Sequence, residues 1–421
     1  MKACRPLVAA LLCLLASGSA VAGEWTVRAG ESIAAAIALA KPGDLVRVER
    51  GYYQERLLID KPLILVGINR PTLSAGKEGD TIRVTAEDVT IDGLIVRDSG
   101  DSLLDQNAGI YIRRGAHRAT VRNCDLTYNL FGIYIETVKT VEIRNNVITG
   151  KRDYKSPRRG NGIQLYNTEA AQIIGNEISF VRDGIYVDVS HHSVFRNNRI
   201  HNVRYGTHYM NSHNNVWEGN DSYHNRGGLA LMMTRNQVVR NNRAWGNSDH
   251  GIMLRTIQDS LIEGNIVAGN ARGFFIYDAE YNIIRNNLVA DNTIGVHLAA
   301  GSYRNQVDGN DFVSNPTQIK YVASRDEIWP GNYWSNYLGW DRNGDDVGDV
   351  PYEANDLVDR LSWRHPMMKL LLASPAVHTL RLVSQQFPLL RAPSVVDPQP
   401  RMKPQHADWG QWIGRYFSHA N

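Results

Sequence analysis

A histidine and three methionines form the most distinctive set of possible metal ligands in this chain. His208, Met210, Met232 and Met253 recur at about one structural repeat, at positions whose side chains are expected to point outward. Thioether and imidazole groups together are the soft ligands that select Cu(I) over zinc, calcium or magnesium. Methionine also fills irregular gaps in apolar clusters, so packing under a loop or against a partner protein is the alternative interpretation.

Oxygen ligands are concentrated in a second place, nearer the end of the chain. Asp341, Asn343, Asp345 and Asp349 have the spacing of a compact loop that could hold a hard cation such as Ca²⁺. The loop lacks the full twelve-residue calcium pattern with its terminal Glu. A series of Asx turns that bond their own backbone is therefore the alternative.

One dense acid–imidazole group, Asp188 with His191 and His192, bears on whether the chain is an enzyme. Enzymes built on parallel β-helices cleave or epimerise acidic polysaccharides, and they need clustered carboxylates with basic partners. The chain has no Asp-Pro-His-Asp motif and no Walker-type phosphate loop. We therefore expect no catalytic residues and a solvated turn at this group, with a secreted polysaccharide lyase or epimerase as the alternative function.

Two ladders with one period near 22 residues predict the element that positions these side chains. The glycine intervals are 30, 22, 22, 22, 23, 22 and 22 residues, and the asparagine intervals are 30, 22, 22, 22, 23, 22 and 23. The glycines are Gly132, Gly162, Gly184, Gly206, Gly228, Gly251, Gly273 and Gly295. The asparagines are Asn146, Asn176, Asn198, Asn220, Asn242, Asn265, Asn287 and Asn310. Stacked Asn side chains can bond the coils above and below them.

The residues after each glycine alternate between inward and outward positions, as side chains do along a strand. In the first coil of the ladder Ile133 and Ile135 are expected to point inward, while Tyr134 and Glu136 point outward. A repeat of about 22 residues with short strands and no helical period predicts an all-β fold, a right-handed parallel β-helix. We expect an N-terminal cap helix within 24–42 and a C-terminal helical extension.

Composition divides the chain into five segments. A basic start, an apolar run and a small-residue cleavage site predict a signal peptide. The predicted segments are a signal peptide at 1–22, the parallel β-helix at 23–315, an aromatic and acidic cap at 316–365, apolar docking helices at 366–387, and a Pro-rich tail, extended or disordered, at 388–421.

The docking helices are expected to break at Ser374-Pro375, a cap followed by a first-turn proline. An apolar helix that follows a closed solenoid suits docking against a partner or a membrane surface. The residues expected to dock are Met367, Leu370, Leu371, Val377, Leu380 and Phe387.

Charge and cysteine content exclude other classes of protein. A net charge of +3 with 21% charged residues is not that of a polybasic nucleic-acid binder or an acidic disordered chain. Without the signal peptide Cys124 stands alone, so no internal disulfide is expected, and a buried position suits it. The 30-residue interval holds a basic insertion at 151–159, interpreted as solvated surface or as a dock for an acidic partner.

The chain as a whole resembles the NosD family, most specifically at Gly331-Asn-Tyr-Trp-Ser-Asn-Tyr, Trp340-Asp-Arg-Asn-Gly-Asp-Asp-Val-Gly-Asp and Pro351-Tyr. The resemblance implies a non-enzymatic periplasmic subunit of an ABC transporter, held at the inner membrane by a membrane-spanning subunit with its ATPase. It also implies receipt of Cu(I) from a lipoprotein copper chaperone and support for assembly of the copper–sulfide centre of nitrous oxide reductase. The family's ligands are not carried over, so the copper ligands above rest on the outward columns alone.

Overall fold

The structure is a computed structural model that describes residues 22–321, 327–354, 357–371, 374–387 and 395–410. The predicted signal peptide, apart from its last residue, lies outside the described residues. So do residues 388–394 and 411–421 of the predicted tail.

The chain winds into a right-handed parallel β-helix whose coils each contribute one strand to three long sheets, as the 22-residue repeat predicts. Sheet 1 has 13 strands: Glu24–Val27, Leu45–Val48, Ile64–Gly67, Thr90–Asp92, Thr120–Arg122, Glu142–Arg144, Gln172–Ile174, Val194–Arg196, Val216–Glu218, Val238–Arg240, Leu261–Glu263, Ile283–Arg285 and Gln306–Asp308. Sheet 2 has 13 strands: Tyr52–Gln54, Thr72–Ser74, Ile95–Arg97, Asp125–Thr127, Val147–Thr149, Glu177–Ser179, Arg199–His201, Asp221–Tyr223, Arg243–Trp245, Ile266–Ala268, Leu288–Ala290, Asp311–Val313 and Tyr333–Trp334. Sheet 3 has 12 strands: Leu57–Ile59, Ile82–Val84, Ala108–Ile112, Phe131–Glu136, Ile163–Tyr166, Asp183–Asp188, Tyr205–Met210, Gly227–Arg235, His250–Gln258, Arg272–Tyr277, Ile294–Leu298 and Thr317–Tyr321.

The two predicted inward columns of sheet 3 fill the interior of the solenoid. Their members are all buried: Ile133, Ile163, Ile185, Thr207, Leu229, Ile252, Phe274 and Val296, then Ile135, Leu165, Val187, Tyr209, Leu231, Leu254, Ile276 and Leu298. Burial of one apolar side chain contributes on the order of 1.5–3 kcal/mol, so the stacked columns stabilise every coil against its neighbours. Each inward column thereby fixes which residues of sheet 3 face solvent.

The asparagine ladder runs along the turn between sheets 1 and 2, as predicted. The side chain of Asn242 is typical: its Nδ2 donates to Trp217 O at 2.9 Å and to Asn265 Oδ1 at 3.0 Å. Its Oδ1 accepts from the backbone N and the Nδ2 of Asn220 at 3.0 and 2.9 Å. Cys124 occupies the ladder position before Asn146 and is buried, which raises the pKa of its thiol to about 12.

At both ends of the solenoid the structure differs from the sequence prediction. Within the predicted cap at 24–42, only Ile33–Leu39 is helical. Glu24–Val27 instead pairs with Leu45–Val48 as the first strand of sheet 1. Ser32 caps the helix by accepting from Ala35 N, and Ile33 and Ile37 are buried against the first coil.

The solenoid also continues past the predicted boundary at 315. Thr317–Tyr321 pairs with Ile294–Leu298, because Ile319 and Tyr321 still provide inward side chains although the glycine is lost. Tyr333–Trp334 then adds the last strand of sheet 2.

A small fourth sheet and three short helices follow the solenoid. The fourth sheet is formed by Glu327–Ile328, Tyr352–Ala354 and Val395–Asp397. The helices are Leu357–Arg364, the 3₁₀ helix Pro366–Leu371 and Pro375–Gln386; a further 3₁₀ turn, Ser156–Arg158, lies in the insertion. The predicted tail is thus ordered over 395–410, where the buried Asp397 accepts from Gly331 N, Asn332 N and Trp334 Nε1.

Candidate metal centre

Two outward columns of sheet 3 bring the sequence-predicted copper residues onto one face. In one column Tyr186, His208, Ala230, Met253 and Phe275 follow one another on successive strands. Met210 and Met232 stand two residues further along their strands, in the column that runs from Asp188 to Arg255. Successive coils are about 4.8 Å apart, so these four residues span three coils on the same surface.

The strands that carry Met232 and Met253 differ from the rest of sheet 3. Gly227–Arg235 and His250–Gln258 are nine residues long, whereas the neighbouring strands have five or six. Met233 and Thr256 have left-handed backbone, with φ 50° and 51°, as do the equivalent Val189, Asn211 and Asp278 of neighbouring coils. Strand length is therefore what sets apart the coils that bear Met232 and Met253.

Met232 and Met253 form an apolar cluster with Ala230, and Tyr205, Met210 and Phe275 pack against it. Both methionines are only 8% exposed, although they lie on the outer face of the sheet. Tyr205, Met210 and Phe275, which pack against the cluster, cover the two methionines. The thioethers are therefore outside the core but shielded from water, an environment that suits a soft cation.

His208 is held for ligation by a buried carboxylate. Its Nδ1 lies 3.0 Å from Asp183 Oδ2, and Arg204 Nε donates to Asp183 Oδ1 at 2.8 Å. Burial acts to raise the pKa of Asp183, but the hydrogen bonds from His208 and Arg204 outweigh it and hold the pKa below its usual value. Nδ1 also lies 3.1 Å from Arg204 Nη2, so this nitrogen faces the Asp183–Arg204 pair and Nε2 is the nitrogen left for a metal ion. This carboxylate–histidine arrangement is the usual orientation of a metal-binding imidazole.

His250 adds a second imidazole that the sequence analysis did not select. It is 1% exposed, and neither ring nitrogen has a hydrogen-bond partner among the described residues. Its Nε2 lies over Gly227, where an added Cβ would come within 2.5 Å of it, and its ring is 5.6 Å from that of Tyr205. Burial lowers the pKa of His250, which keeps the ring neutral. Its Nδ1 faces the Asp249 carboxylate at 3.7 Å, beyond hydrogen-bond distance, so Nε2 is the nitrogen without a polar neighbour, and burying it is costly unless a ligand completes it.

His250 could have been found from one sequence signal. It occupies the position just before Gly251, where the preceding coil has Gly227 instead of a side chain. The sequence alone suggests a turn residue, but the register makes it the first residue of its strand. We call His208, Met210, Met232, His250 and Met253 the Met/His face.

Comparison with known proteins gives the family. Residues 144–339 match the family model described as "Periplasmic copper-binding protein (NosD)". The chain is 38% identical over 371 residues to the "Probable ABC transporter binding protein NosD" of Pseudomonas aeruginosa, covering 84% of this chain and 87% of the relative. A protein of the same description from Stutzerimonas stutzeri is 36% identical over 376 residues, covering 85% and 86%. The chain belongs to the NosD family.

The NosD relatives are named as transporter binding proteins and not as enzymes, in agreement with the non-enzymatic prediction, and the family is periplasmic and copper-binding. Some solved structures are similar to this NosD-family chain, but the similarity extends only to the fold. The A-module of mannuronan C-5 epimerase AlgE6 of Azotobacter vinelandii has a TM-score of 0.57 at 16% identity, covering 69% of this chain and 89% of that one. The adhesin PfbA of Streptococcus pneumoniae has a TM-score of 0.54 at 12% identity, covering 69% and 93%.

The predicted calcium loop of this NosD-family chain uses its oxygens internally. Asp341 accepts from Gly344 N and Asp346 N at 2.7 and 2.9 Å, and Asp349 accepts from Arg342 N at 2.8 Å. Asn343 and Asp345 bond each other. The described part of the chain contains no group of three or more His, Cys, Asp or Glu residues that could hold a metal ion. These contacts are those of the Asx-turn interpretation, and calcium binding stays a prediction from the sequence.

The acid–imidazole group is divided between two surfaces. Asp188 lies on the outer face of sheet 3 and accepts from Asn211 Nδ2 at 3.2 Å. His191 lies in the following turn, where its Nδ1 accepts from His213 N at 3.0 Å and its ring stacks on His213 at 5.3 Å. The stack between coils accounts for His191 without a catalytic role.

The predicted docking residues fall into an exposed and a packed group. Met367 and Leu370 are 75% and 78% exposed, and Leu371 and Phe387 are also exposed. Val377 is buried and Leu380 is partly buried, so these two hold the last helix in place. Ser374 caps that helix at the predicted break. No helix among the described residues is long and apolar enough to span a membrane.

Proposed function

We propose that this protein is a periplasmic accessory subunit of an ABC transporter that accepts Cu(I) on the Met/His face. The observation that carries the proposal is the shielded thioether cluster of Met232 and Met253, with Met210 packed against it and His208 in the same outward columns. Soft sulfur ligands with imidazole nitrogens favour Cu(I), and the cluster itself contains no carboxylate oxygen for a hard cation.

The wider role rests on the family. Cu(I) would come from a lipoprotein copper chaperone and would be used to assemble the copper–sulfide centre of nitrous oxide reductase. A protein that transfers copper needs an accessible site that binds the ion reversibly. The partial exposure of His208 and Met210 beside the buried Met232 and Met253 provides such an open side.

We further propose that the exposed C-terminal residues Met367, Leu370, Leu371 and Phe387 dock on the membrane subunit, which in turn binds the ATPase. Exposed apolar side chains in one segment are typical of protein interaction sites. The names of the relatives identify an ABC transporter as the kind of partner.

Anaerobic titration of the purified protein with Cu(I) against a competing chromophoric ligand tests the copper site. Replacing Met210, Met232 and Met253 together by Leu keeps the apolar volume but removes every sulfur of the cluster. We expect the Cu(I) affinity to fall at least about a hundredfold, which corresponds to about 2.8 kcal/mol. Unchanged affinity in this triple variant would contradict the site, and turnover of alginate or pectate by the wild type would contradict the non-enzymatic function.

Co-purification tests the docking surface. Replacing Met367 and Leu370 by Glu should abolish recovery of the membrane subunit and ATPase with the tagged protein, because a desolvated charge opposes an apolar interface. The matched control is Leu104→Glu, since Leu104 is 92% exposed and lies on an early coil of the solenoid. Equal recovery with both variants would locate the interface elsewhere.

A further inference from the structure

An arginine-lined cavity of about 490 Å³ lies where the basic insertion meets the turns between sheets 2 and 3. Its charged lining residues are Arg159, Arg182, Arg204 and Arg226, with Ser156 and Asn202 adding polar groups, and no acidic residue lines it. We call it the arginine pocket. Neither the Met/His face nor the docking residues explain it.

Three of the arginines form a ladder along the solenoid. Arg182, Arg204 and Arg226 each stand two residues before the glycine of their coil, so they stack at the coil spacing of about 4.8 Å. The next coil has Asp249 at this position, which ends the ladder. Like charges stacked this closely destabilise one another unless counter-charges offset them.

The counter-charges in the structure do not offset all of the arginines. Arg204 is paired with Asp183, and Arg226 lies 4.0 Å from Asp249 with its side chain 62% exposed. Arg182 has no side-chain partner among the described residues. Arg159 donates only to backbone carbonyls, to Tyr154 O at 2.7 Å and to Arg152 O at 3.0 Å. The pocket therefore holds more positive than negative charge.

The insertion forms a fixed wall of the pocket. Lys151 is buried and donates to Ser99 O at 3.2 Å and to Asp101, whose other oxygen accepts from Tyr154 OH at 2.8 Å. These bonds anchor the loop that carries Ser156 and Arg159 to a coil two turns earlier. Arg159 is consequently held in place before any ligand arrives, which lowers the entropy lost on binding.

We propose that the arginine pocket binds a multiply charged oxyanion of the phosphate class, either free or as the headgroup of an anionic lipid. The planar fork of guanidinium donors matches the oxygens of a tetrahedral anion, and charge-assisted bonds of this kind are stronger than neutral ones. Arg182 and Arg159 supply the unpaired charge, and the Ser156 hydroxyl and Asn202 amide add neutral donors. The cavity is larger than one phosphate ion, so it also admits a substituent on the anion.

Calorimetric titration of the full chain with inorganic phosphate at low ionic strength tests the free anion, with chloride as the control for general screening. Co-sedimentation with phosphatidylcholine vesicles, with and without phosphatidic acid, tests the lipid headgroup. We expect saturable binding in at least one arm, weakened at least about tenfold by Arg182→Gln and by Arg159→Gln. Arg182→Gln removes no side-chain hydrogen bond or ion pair of the described residues, and an unchanged denaturation midpoint of this variant would show that loss of binding does not reflect unfolding.

Arg144→Gln provides the matched control, because it removes the same charge from the outer face of sheet 1 and should leave binding within about twofold. The proposal is overturned by absence of binding in both arms, by unchanged binding in both pocket variants, or by an equal loss in Arg144→Gln. Arg182 shares a second cavity with His208, whereas Arg159 does not line it, so Arg159→Gln is the variant in which Cu(I) affinity should stay unchanged. The result is independent of the proposed copper function.

Discussion

The asparagine ladder and the Met/His face lie on different parts of the same repeat, and they differ in how completely their buried polar groups are hydrogen-bonded. In the ladder every amide is bonded on both sides, as at Asn242, which donates twice and accepts twice. On the Met/His face the buried His250 makes no hydrogen bond within 3.5 Å at either nitrogen, and its Nδ1 only faces Asp249 at 3.7 Å. Complete hydrogen bonding of the amides is found in the part of the repeat that holds the coils together. An unpaired buried imidazole is instead a cost that a ligand can remove.

The comparison also separates regular from irregular coils. The ladder repeats one residue type with almost constant spacing, whereas the face departs from the repeat in strand length and in its small residues Gly227 and Ala230. In a solenoid each coil contacts only its neighbours. A local departure can therefore be accommodated without disturbing distant coils.

The ladder side of the comparison gives the largest expected effect. Asn242→Leu removes the acceptor of the Asn220 backbone N–H, which is left buried without a partner, and one of the two acceptors of Asn220 Nδ2. We expect the free energy of unfolding to fall by about 3 kcal/mol or more, measured by denaturant titration. Gln306→Leu also replaces a side-chain amide by Leu, but at an exposed position of sheet 1. It should alter the free energy of unfolding by less than about 0.5 kcal/mol. Equal losses in the two variants would remove the special role of the ladder.

On the Met/His face, Gly227→Ala should displace His250. The added Cβ would lie 2.5 Å from His250 Nε2, so the ring must move away from the methionine cluster. We expect the Cu(I) affinity to fall about tenfold or more, since small misplacements of a ligand weaken metal sites strongly. Gly410→Ala serves as the control because no atom lies within 4 Å of its Cβ position. Retained affinity in Gly227→Ala would exclude His250 as a ligand.

His297, which lies in the same outward column as Met253, should make the stability of the protein sensitive to acid. Burial, with smaller effects of Lys320 and Arg272, lowers the pKa of His297 to about 4, and its Nδ1 is buried without a partner. The unfolded chain therefore binds more protons, and stability is lost as pH falls from about 6.5 toward 4. His297→Phe should reduce this loss by about 1 kcal/mol after allowing for partial exposure. Denaturation at pH 7 and pH 4.5 measures it, with the exposed His365→Phe as the control expected to leave the loss unchanged.

The smallest effect is expected for the methionine that neighbours the cluster without joining it. Met233 follows Met232 directly but is 42% exposed and lies outside the cluster. Met233→Leu should change the Cu(I) affinity less than about twofold, since an exposed thioether adds little to a shielded site. A loss as large as that of the triple Leu variant would place the copper site on the turn instead of the face.

Much of the fold could be predicted from particular residues. The inward columns beginning at Ile133 and Ile135 and the bonding of the ladder from Asn146 onward follow from period, alternation and amide chemistry. The order of residues 395–410 could not, because Asp397 acts through Gly331 and Trp334, more than 60 residues away in sequence. No local pattern encodes such a contact.

The sequence by itself determined the β-helix, its register and the set of residues that face outward on sheet 3, because a fixed period and alternating side chains leave one consistent winding. Only the tertiary structure decided which of those residues act together. His250 lies over Gly227 and beside Tyr205, which packs against the methionine cluster, and Asp183 contacts His208 from the preceding coil. The arginines of successive turns met under a loop anchored by Lys151. Each of these contacts joins different coils, and their distances and burial depend on packing that spacing along the chain does not specify.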